Sequence, residues 1–185
     1  MENPHAVSER HFQYQFSLNV WEGIVGDYLI GPFFLPLRIN GETYQHFLEN
    51  ELPPLLDDVP LETRRRMWFM HDGAPAHFSE ITRNYLNKIY GNRWIGRGVE
   101  EGNQPWPPRS PDLNPLDFYL WGHLKSVVYK TPVENELDLR NRITKTNGFE
   151  EIRNRPVILS RVRDSMRRRL DACILAEGGH FQQFI

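Results

Sequence analysis

The sequence predicts an α/β domain, and three observations predict it. A short apolar run, Met67 to Met70, stops at an acid, Asp72, and passes through Gly73 and Pro75 toward a helical pattern. That is the layout of a buried strand leading by a tight turn into a helix. Upstream, Phe16, Leu18, Val20 and Ile24 alternate, and a second apolar stretch, Tyr28 to Leu35, follows the turn signal Gly26-Asp27, which reads as a β-hairpin. Downstream, apolar residues recur at helical spacing in several stretches, and strands mixed with such helices build a helix-covered sheet.

Composition narrows the class. A chain of 185 residues suits one domain with a sizeable core. Apolar residues make up 39% and aromatics 12%, as a globular protein requires. The net charge of −2 argues against a molecule that binds polyanions with its whole surface. The cations are uneven, however: Arg153, Arg155, Arg161, Arg163, Arg167, Arg168 and Arg169 crowd near the C-terminus, and local patches matter more than totals. One cysteine, Cys173, excludes an internal disulfide and a Cys-rich zinc site and suits a reducing compartment. Its position in a helical pattern reads as a small core residue. No apolar run nears the roughly 18 residues of a membrane span. The polar start, Met1 to His5, lacks the apolar core of a signal peptide, so an intracellular protein is expected.

Taken in order, residues 1–14 carry no clear pattern. Gln15 to Val25 is the first predicted strand and Tyr28 to Leu35 the second, with Pro32 expected at an edge or bulge. Tyr44, Phe47, Leu48, Leu52 and Leu55 then follow helical spacing, with Pro53-Pro54 ending or kinking that helix. Asp57-Asp58 and Arg64-Arg65-Arg66 frame a polar connection, read as a solvated face. His77 to Tyr90 predicts a helix with Ile81, Tyr85, Leu86 and Ile89 on one face. Arg93-Trp94-Ile95 is a short strand, and Gly96 to Gln104 a loop. Pro105 to Pro115 holds five prolines and should be extended and stiff. A helix begins near Pro115, capped by Asn114, with Leu116, Leu120, Trp121, Leu124, Val127 and Val128 on one face. Residues 134–154 make one or two polar helices interrupted at Asn147-Gly148, and a long helix spans about Pro156 to Ala176. Ile158, Val162, Met166, Leu170 and Ile174 form its expected buried stripe, and Gly178-Gly179 end it.

Asp72 admits two readings. Asp is a favoured helix N-cap. The crevice beyond the carboxyl ends of strands in an open α/β sheet is also where ligands bind. Asp117, in the first turn of a helix after an extended segment, is a second acid at an element boundary. Two such carboxylates can hold divalent ions for phosphoryl transfer, yet spacing alone is a weak signal.

The motifs around these acids decide between the readings. His71-Asp72-Gly73-Ala74-Pro75-Ala76-His77, followed by Trp106-Pro107-Pro108-Arg109-Ser110-Pro111-Asp112-Leu113-Asn114-Pro115-Leu116-Asp117-Phe118-Tyr119-Leu120-Trp121, strongly resembles the catalytic domain of the mariner superfamily of DNA transposases. The resemblance extends to the aromatic-rich hairpin and the ending Gly178-Gly179-His180-Phe181. It implies an RNase H-like mixed sheet flanked by helices, an acidic triad and a two-metal mechanism using Mg²⁺ or Mn²⁺. Asp72 then matches the second catalytic, metal-binding acid, and Asp117 the third, in the branch that uses Asp there. Asp112 matches a structural position. His77 is expected beside the site, near substrate, and not as a metal ligand. DNA is the implied partner, and a homodimer or a longer homologue is a further one. The implied location is the nucleus, or the cytoplasm for a relic.

The chain departs from the family pattern. The 44 residues between Asp72 and Asp117 exceed the usual spacing, and the loop from Gly96 is expected to absorb the excess. Helix-turn-helix DNA-binding domains are absent, so residues 1–185 are expected to be a single, truncated catalytic domain. The first, central strand and its acid are apparently missing, since Asp27 sits in the predicted hairpin turn. The gap has three resolutions: a longer native protein, another chain filling it, or re-pairing of the two sheet fragments. Little or no transposition is therefore expected. Two other classes stay open. One is a nucleic-acid-binding module using Arg109, Arg163, Arg167 and Arg168, against which those arginines form a solvated face paired with Asp164 and Asp171. The other is an interaction fragment docking through Trp106–Pro115, unless that strip is only the packed lead-in to the next helix.

Overall fold

The computed structural model describes residues 16–99, 101–108, 110–145 and 147–185. Arg109 and the polar stretch Met1 to His5 lie outside the described residues.

Strands β1 (Asn19–Val25) and β2 (Tyr28–Leu35) form an antiparallel hairpin. Its turn uses Gly26 at φ 57°, a conformation glycine adopts without Cβ strain. The register slips between Trp21 and Gly23, which face Phe33 and Ile30, so β2 carries the extra residue, at Gly31-Pro32. A Cβ at Gly31 would lie 2.9 Å from the Trp21 carbonyl oxygen. The bulge thus needs glycine, and it accommodates Pro32, which has no N–H to give a ladder.

The chain then turns helical. Asn40 caps α1 (Gly41–His46) by accepting from the Thr43 N–H at 2.9 Å, while the Thr43 hydroxyl accepts from the Asn40 N–H. A wide π-type turn, Phe47–Glu51, runs on into α2 (Leu52–Leu55). Pro53 and Pro54 occupy the first turn of α2, where their missing N–H groups cost least, so they do not end the helical path there. Arg64 to Arg66 belong to a short helix, α3 (Leu61–Arg66), where a polar connection was expected. Asp57 accepts an ion pair from Arg64 at 3.4 Å.

The second sheet is parallel, in the order β3 (Phe69–Met70), β4 (Trp94–Gly96), β5 (Gln104–Pro105). The predicted 96–104 loop closes onto β4 as a third strand. Between β3 and β4 lies α4 (Glu80–Tyr90), capped by Ser79. It starts three residues later than the sequence pattern suggested, because the hydroxyl that can cap it is at Ser79. Its buried line is Thr82, Leu86 and Tyr90, while Ile81 and Ile89 are exposed. β-branched and aromatic residues on both sides of the helix made the apolar face ambiguous.

A 3₁₀ turn, Pro111–Leu113, and a π-type turn, Leu116–Leu120, lead into α5 (Trp121–Val128). Then follow α6 (Glu136–Lys145), α7 (Asn147–Arg153) and α8 (Pro156–Leu175). The expected stripe of α8 holds only at first. Val162 is buried, but Leu170 and Ile174 are exposed. A repeat of four residues gains about 40° per step on a helix of 3.6 residues per turn, so the stripe rotates out, and Ala172 takes over the buried side. Cys173 packs there beside the cluster of Leu113, Ala172 and Phe181.

Two core layers hold these parts together. One joins Ile30, Tyr44, Phe47, Leu52, Phe69, Leu86 and Trp94, with Trp21 and Phe33 against it. It therefore contains residues of both sheets and of the helices beneath them. The other joins Leu29, Leu120, Leu124, Phe149, Ile152 and Leu159, with Ile24 against it. The architecture is helix–sheet–helix, with the sheet divided between β1 and β3. Among the described residues the two fragments do not pair with each other. Among the described residues no helix is long and apolar enough to cross a membrane.

Glu22 stands out in this core. It follows Trp21 on β1, so it faces the opposite side, that of the α7 layer. It is 3% exposed, and among the described residues neither carboxylate oxygen has a hydrogen-bond partner. Burial pushes its pKa up to about 8, against a downward pull from Arg153. Between the ordinary value of 4.5 and about 8, the folded state binds more protons than the unfolded state, so stability falls as pH rises across that window. Each pKa unit corresponds to about 1.4 kcal/mol. Urea unfolding at pH 5 and pH 8 should show a loss on the order of 2–4 kcal/mol in the native sequence. Glu22→Gln should be flatter across the same window, and equal slopes would refute the assignment.

Candidate carboxylate site

Asp72 lies two residues past β3, in the turn that precedes α4. It is not the helix cap. Its Oδ1 accepts the Ala74 N–H at 3.0 Å and contacts His77 Nδ1 at 2.6 Å. The aspartate thus closes a short turn on itself, and the imidazole five residues later fixes its orientation. Oδ2 makes no hydrogen bond among the described residues. The His77 contact holds the carboxyl below its ordinary value, with burial opposing and the Ala74 N–H assisting.

His77 is itself packed tightly. Its ring stacks on His71 at 4.9 Å between centroids and lies 4.4 Å from the Tyr44 ring. Its Nδ1 is committed to Asp72, which agrees with a place beside the site. His71 is buried, and among the described residues neither ring nitrogen has a hydrogen-bond partner. Burial, then the neighbouring His77, pushes its pKa down to about 3, so it is neutral at physiological pH. The pattern His-Asp-Gly-Ala-Pro-Ala-His held this second histidine in view, but nothing in its spacing revealed the stack. Gly96 makes the close approach possible: a Cβ there would meet His71 Nε2 at 2.6 Å.

Asp117 comes from the other side of the divided sheet. Its π-type turn packs through Leu116 and Leu120 into the layer containing Leu29 and Ile24. Asn114 orients it twice over, accepting the Leu116 N–H at 3.1 Å and donating its amide to Asp117 Oδ2 at 2.8 Å. Oδ1 is left without a hydrogen bond among the described residues. Burial raises the Asp117 pKa, the Asn114 amide lowers it, and the negative charge of Asp72 raises it further. Two acids 44 residues apart in sequence therefore feel each other and line one cavity, of about 740 Å³.

Asp112 secures this arrangement. It pairs with Arg169 of α8 at 3.8 Å, and the same guanidinium sits 4.4 Å above the Phe118 ring. Leu113 is buried against Ala172. Within the Trp106–Pro115 strip Leu113 is packed, while Pro107 and Pro108 are exposed. The Trp106 N–H donates to the Gly96 carbonyl at 2.7 Å.

The remaining predicted residues lie elsewhere. Arg163 pairs with Asp27 at 2.7 Å and also donates to the Gly26 carbonyl, so it braces the hairpin turn. Arg167 and Arg168 are exposed on α8, with no ion pair among the described residues. The alternative pairing of these arginines with Asp164 and Asp171 is not seen among the described residues.

The acids permit a sharp check. In His77→Ala the Asp72 carboxyl should titrate at a higher pH than in the native protein, read from its Cγ resonance by ¹³C NMR. The stability gained from this contact is present above the ordinary carboxylate range and is lost as pH falls through the depressed folded value. An unchanged Asp72 titration would show that the contact does not set its charge.

No protein-family model matches the chain. The Transposable element Tc3 transposase of Caenorhabditis elegans is 32% identical over 130 residues, 69% of this chain and 34% of that protein. The chain thus spans about a third of the length of the curated relative it matches. Among solved structures, the catalytic domain of Mos1 mariner transposase superimposes with a TM-score of 0.59 at 18% identity, covering 89% of this chain and 82% of that one. The Mos1 transposase catalytic domain with Raltegravir and Mg gives 0.58 at 20% identity, covering 85% and 73%. At such identities the structures establish the fold, which is RNase H-like, and the sequence match supplies the kinship. With that fold, and with the two motifs that carry Asp72 and Asp117, the chain belongs to the mariner-type transposases and corresponds to their catalytic domain.

Proposed function

We propose that residues 1–185 are a transposase-derived catalytic domain that seats a divalent cation weakly between Asp72 and Asp117 and cuts DNA poorly or not at all. The observation that carries this reading is the convergence of the two carboxylates on one cavity, each with one oxygen tied to the protein and one left free. The donor set fits a hard cation such as Mg²⁺ or Mn²⁺, which prefers oxygen ligands and keeps several waters. The upward push of Asp72 on Asp117 is the electrostatic complement of such an ion. The solved Mos1 catalytic domains with Mg and with Mn support the same choice of metal. When bound, the ion would supply Lewis-acid chemistry at a phosphodiester.

The chain's own contributions are to hold and orient. Asn114 and His77 fix the two carboxylates, and neutral His71 backs His77 in a dry stack. Among the described residues, no group of three or more His, Cys, Asp or Glu side chains is arranged to hold a metal.

A second reading is favoured by one observation: Arg167 and Arg168 are exposed and unpaired among the described residues. They can contact phosphates without any chemistry, and such binding weakens steeply with salt. A protein acting on chromosomal DNA would work in the nucleus.

Both readings can be tested on one preparation. Mn²⁺ titration by calorimetry should show weak binding that Asp72→Asn or Asp117→Asn abolishes, together with little or no nicking of supercoiled plasmid. Robust cleavage that Asp72→Asn eliminates would overturn the claim of low activity. In the binding assay, Arg167→Ala with Arg168→Ala should weaken DNA association at low salt and flatten its salt dependence by about two units of slope. A double variant with unchanged affinity would remove the arginine face from the account.

A further inference from the structure

Several cations of this chain are spent on the fold. Arg83 donates to the Gly98 carbonyl at 2.8 Å, Arg142 pairs with Asp138 at 2.8 Å, and Arg163 and Arg169 pair with Asp27 and Asp112. Arg97 and Lys125 differ. Both are exposed, and among the described residues neither forms an ion pair. Each belongs to the surroundings of one of the two carboxylates.

Arg97 follows β4, and Asp72 follows β3, its parallel neighbour. Parallel strands end on the same side, so both residues stand at the carboxyl edge of this sheet, where α/β folds receive ligands. The Arg97 side chain runs against Gly73, the residue after Asp72: a Cβ on Gly73 would lie 3.3 Å from Arg97 Cδ. Glycine there leaves room for the arginine. The guanidinium sits 4.2 Å from the centre of the Phe78 ring. That cation–π contact orders the group and leaves its N–H donors unspent.

Lys125 reaches the site from α5. It stands eight residues past Asp117, and eight residues of regular α-helix would turn it about 80° away. The π-type turn Leu116–Leu120 takes up one extra residue and cuts that offset to about 20°. Asp117, Trp121 and Lys125 accordingly line the same cavity, and the lysine's charge is felt at the Asp117 carboxyl. Arg97 is thus carried by the parallel sheet, and Lys125 by a helix packed on the hairpin's layer.

A phosphodiester that approaches two carboxylates is repelled, and fixed cations beside them offset the repulsion. A cation that merely balanced a carboxylate would pair with it, and neither of these does. Arginine offers a phosphate its planar fork of donors, and lysine a point charge. We infer that Arg97 and Lys125 are the phosphate anchors of the carboxylate site, gripping the DNA backbone on either side of the phosphodiester presented to Asp72 and Asp117. The inference rests on the reading of that pair as the cation-bearing centre, and it assigns DNA contact to groups distinct from Arg167 and Arg168.

The test is fluorescence anisotropy of a labelled DNA duplex of mixed sequence, followed against KCl in EDTA. Arg97→Ala and Lys125→Ala should each weaken binding severalfold and lower the salt slope by about one unit, and the double variant by about two. Arg97→Lys and Lys125→Arg should keep the native slope, which a merely structural role would not require. Asp72→Asn with Asp117→Asn should tighten metal-free binding severalfold, because the phosphates then lie against neutral groups. Native affinity and slope in the double alanine variant overturn the inference. So does metal-free binding that the two asparagine substitutions leave unchanged, since the DNA then lies elsewhere. Mn²⁺ calorimetry without DNA reports on the cation reading by itself. Arg97→Ala and Lys125→Ala should bind Mn²⁺ no more weakly than the native chain, and loss of Mn²⁺ there would make them parts of the metal site and overturn their role as anchors. A native chain that takes no Mn²⁺ would sink the cation reading alone, and the duplex data would still decide the anchors.

Discussion

Everything in this molecule depends on a constraint that is unusual for a sheet. Two separate sheets share no backbone hydrogen bond among the described residues. In most sheets the ladder fixes strand spacing to about 4.8 Å. Here packing must do that work from both faces. Phe47 packs against Trp21 at 4.8 Å and Phe33 at 5.0 Å on the hairpin side. It shares a buried cluster with Phe69 and Trp94 of the parallel sheet. On the opposite face the hairpin is held from one side only, through Leu29 and Ile24 against α5, α7 and α8. Apolar contact is strong in sum but non-directional, so it sets a spacing less sharply than a ladder would.

That constraint reaches the carboxylates directly. Asp72 is carried by the parallel sheet, and Asp117 by a turn packed on the hairpin's layer. The pair therefore straddles the division. Each acid is well fixed in its own half, by His77 and Ala74 on one side and by Asn114 on the other. Their relation to each other is governed by the spacing of the halves. The Asp112–Arg169 pair and the Arg169–Phe118 contact matter for the same reason: they fasten the Asp117 turn to α8 and not to β3.

Much of this was legible in the sequence. The hairpin, the strand before Asp72 and the helix after Asn114 each combine a period with a turn or cap residue, and each formed. The motif around the two acids identified them far more securely than their spacing did. What was not legible follows from physics that a one-dimensional pattern does not carry. The start of α4 was fixed by the Ser79 hydroxyl and not by the onset of apolar periodicity. The face of α4 was misassigned because Thr82, a polar residue, is fully buried with its hydroxyl donating to the Ala76 carbonyl at 2.9 Å. The α8 stripe failed because a four-residue repeat outruns the helix. The partner of Arg163 is Asp27, 136 positions upstream in numbering, and no local rule could have found it.

Glu22 is the clearest case of a residue that the sequence conceals and the structure exposes. In the alternating run of β1 it stands in phase with Val20 and Ile24, an acid on the apolar face that the sequence analysis passed over. The fold buries it without a hydrogen bond among the described residues, and the field of Arg153 offsets part of its desolvation. A buried, unpaired carboxylate costs free energy in the chain as described, and folded proteins rarely retain such a group without a partner. The same is true of two facing strand edges. Glu22 lines the same cavity as Asp72 and Asp117. A cation that prefers one separation of the carboxylates therefore acts on the spacing of the two halves, and that spacing acts on the cation, because such coupling is reciprocal.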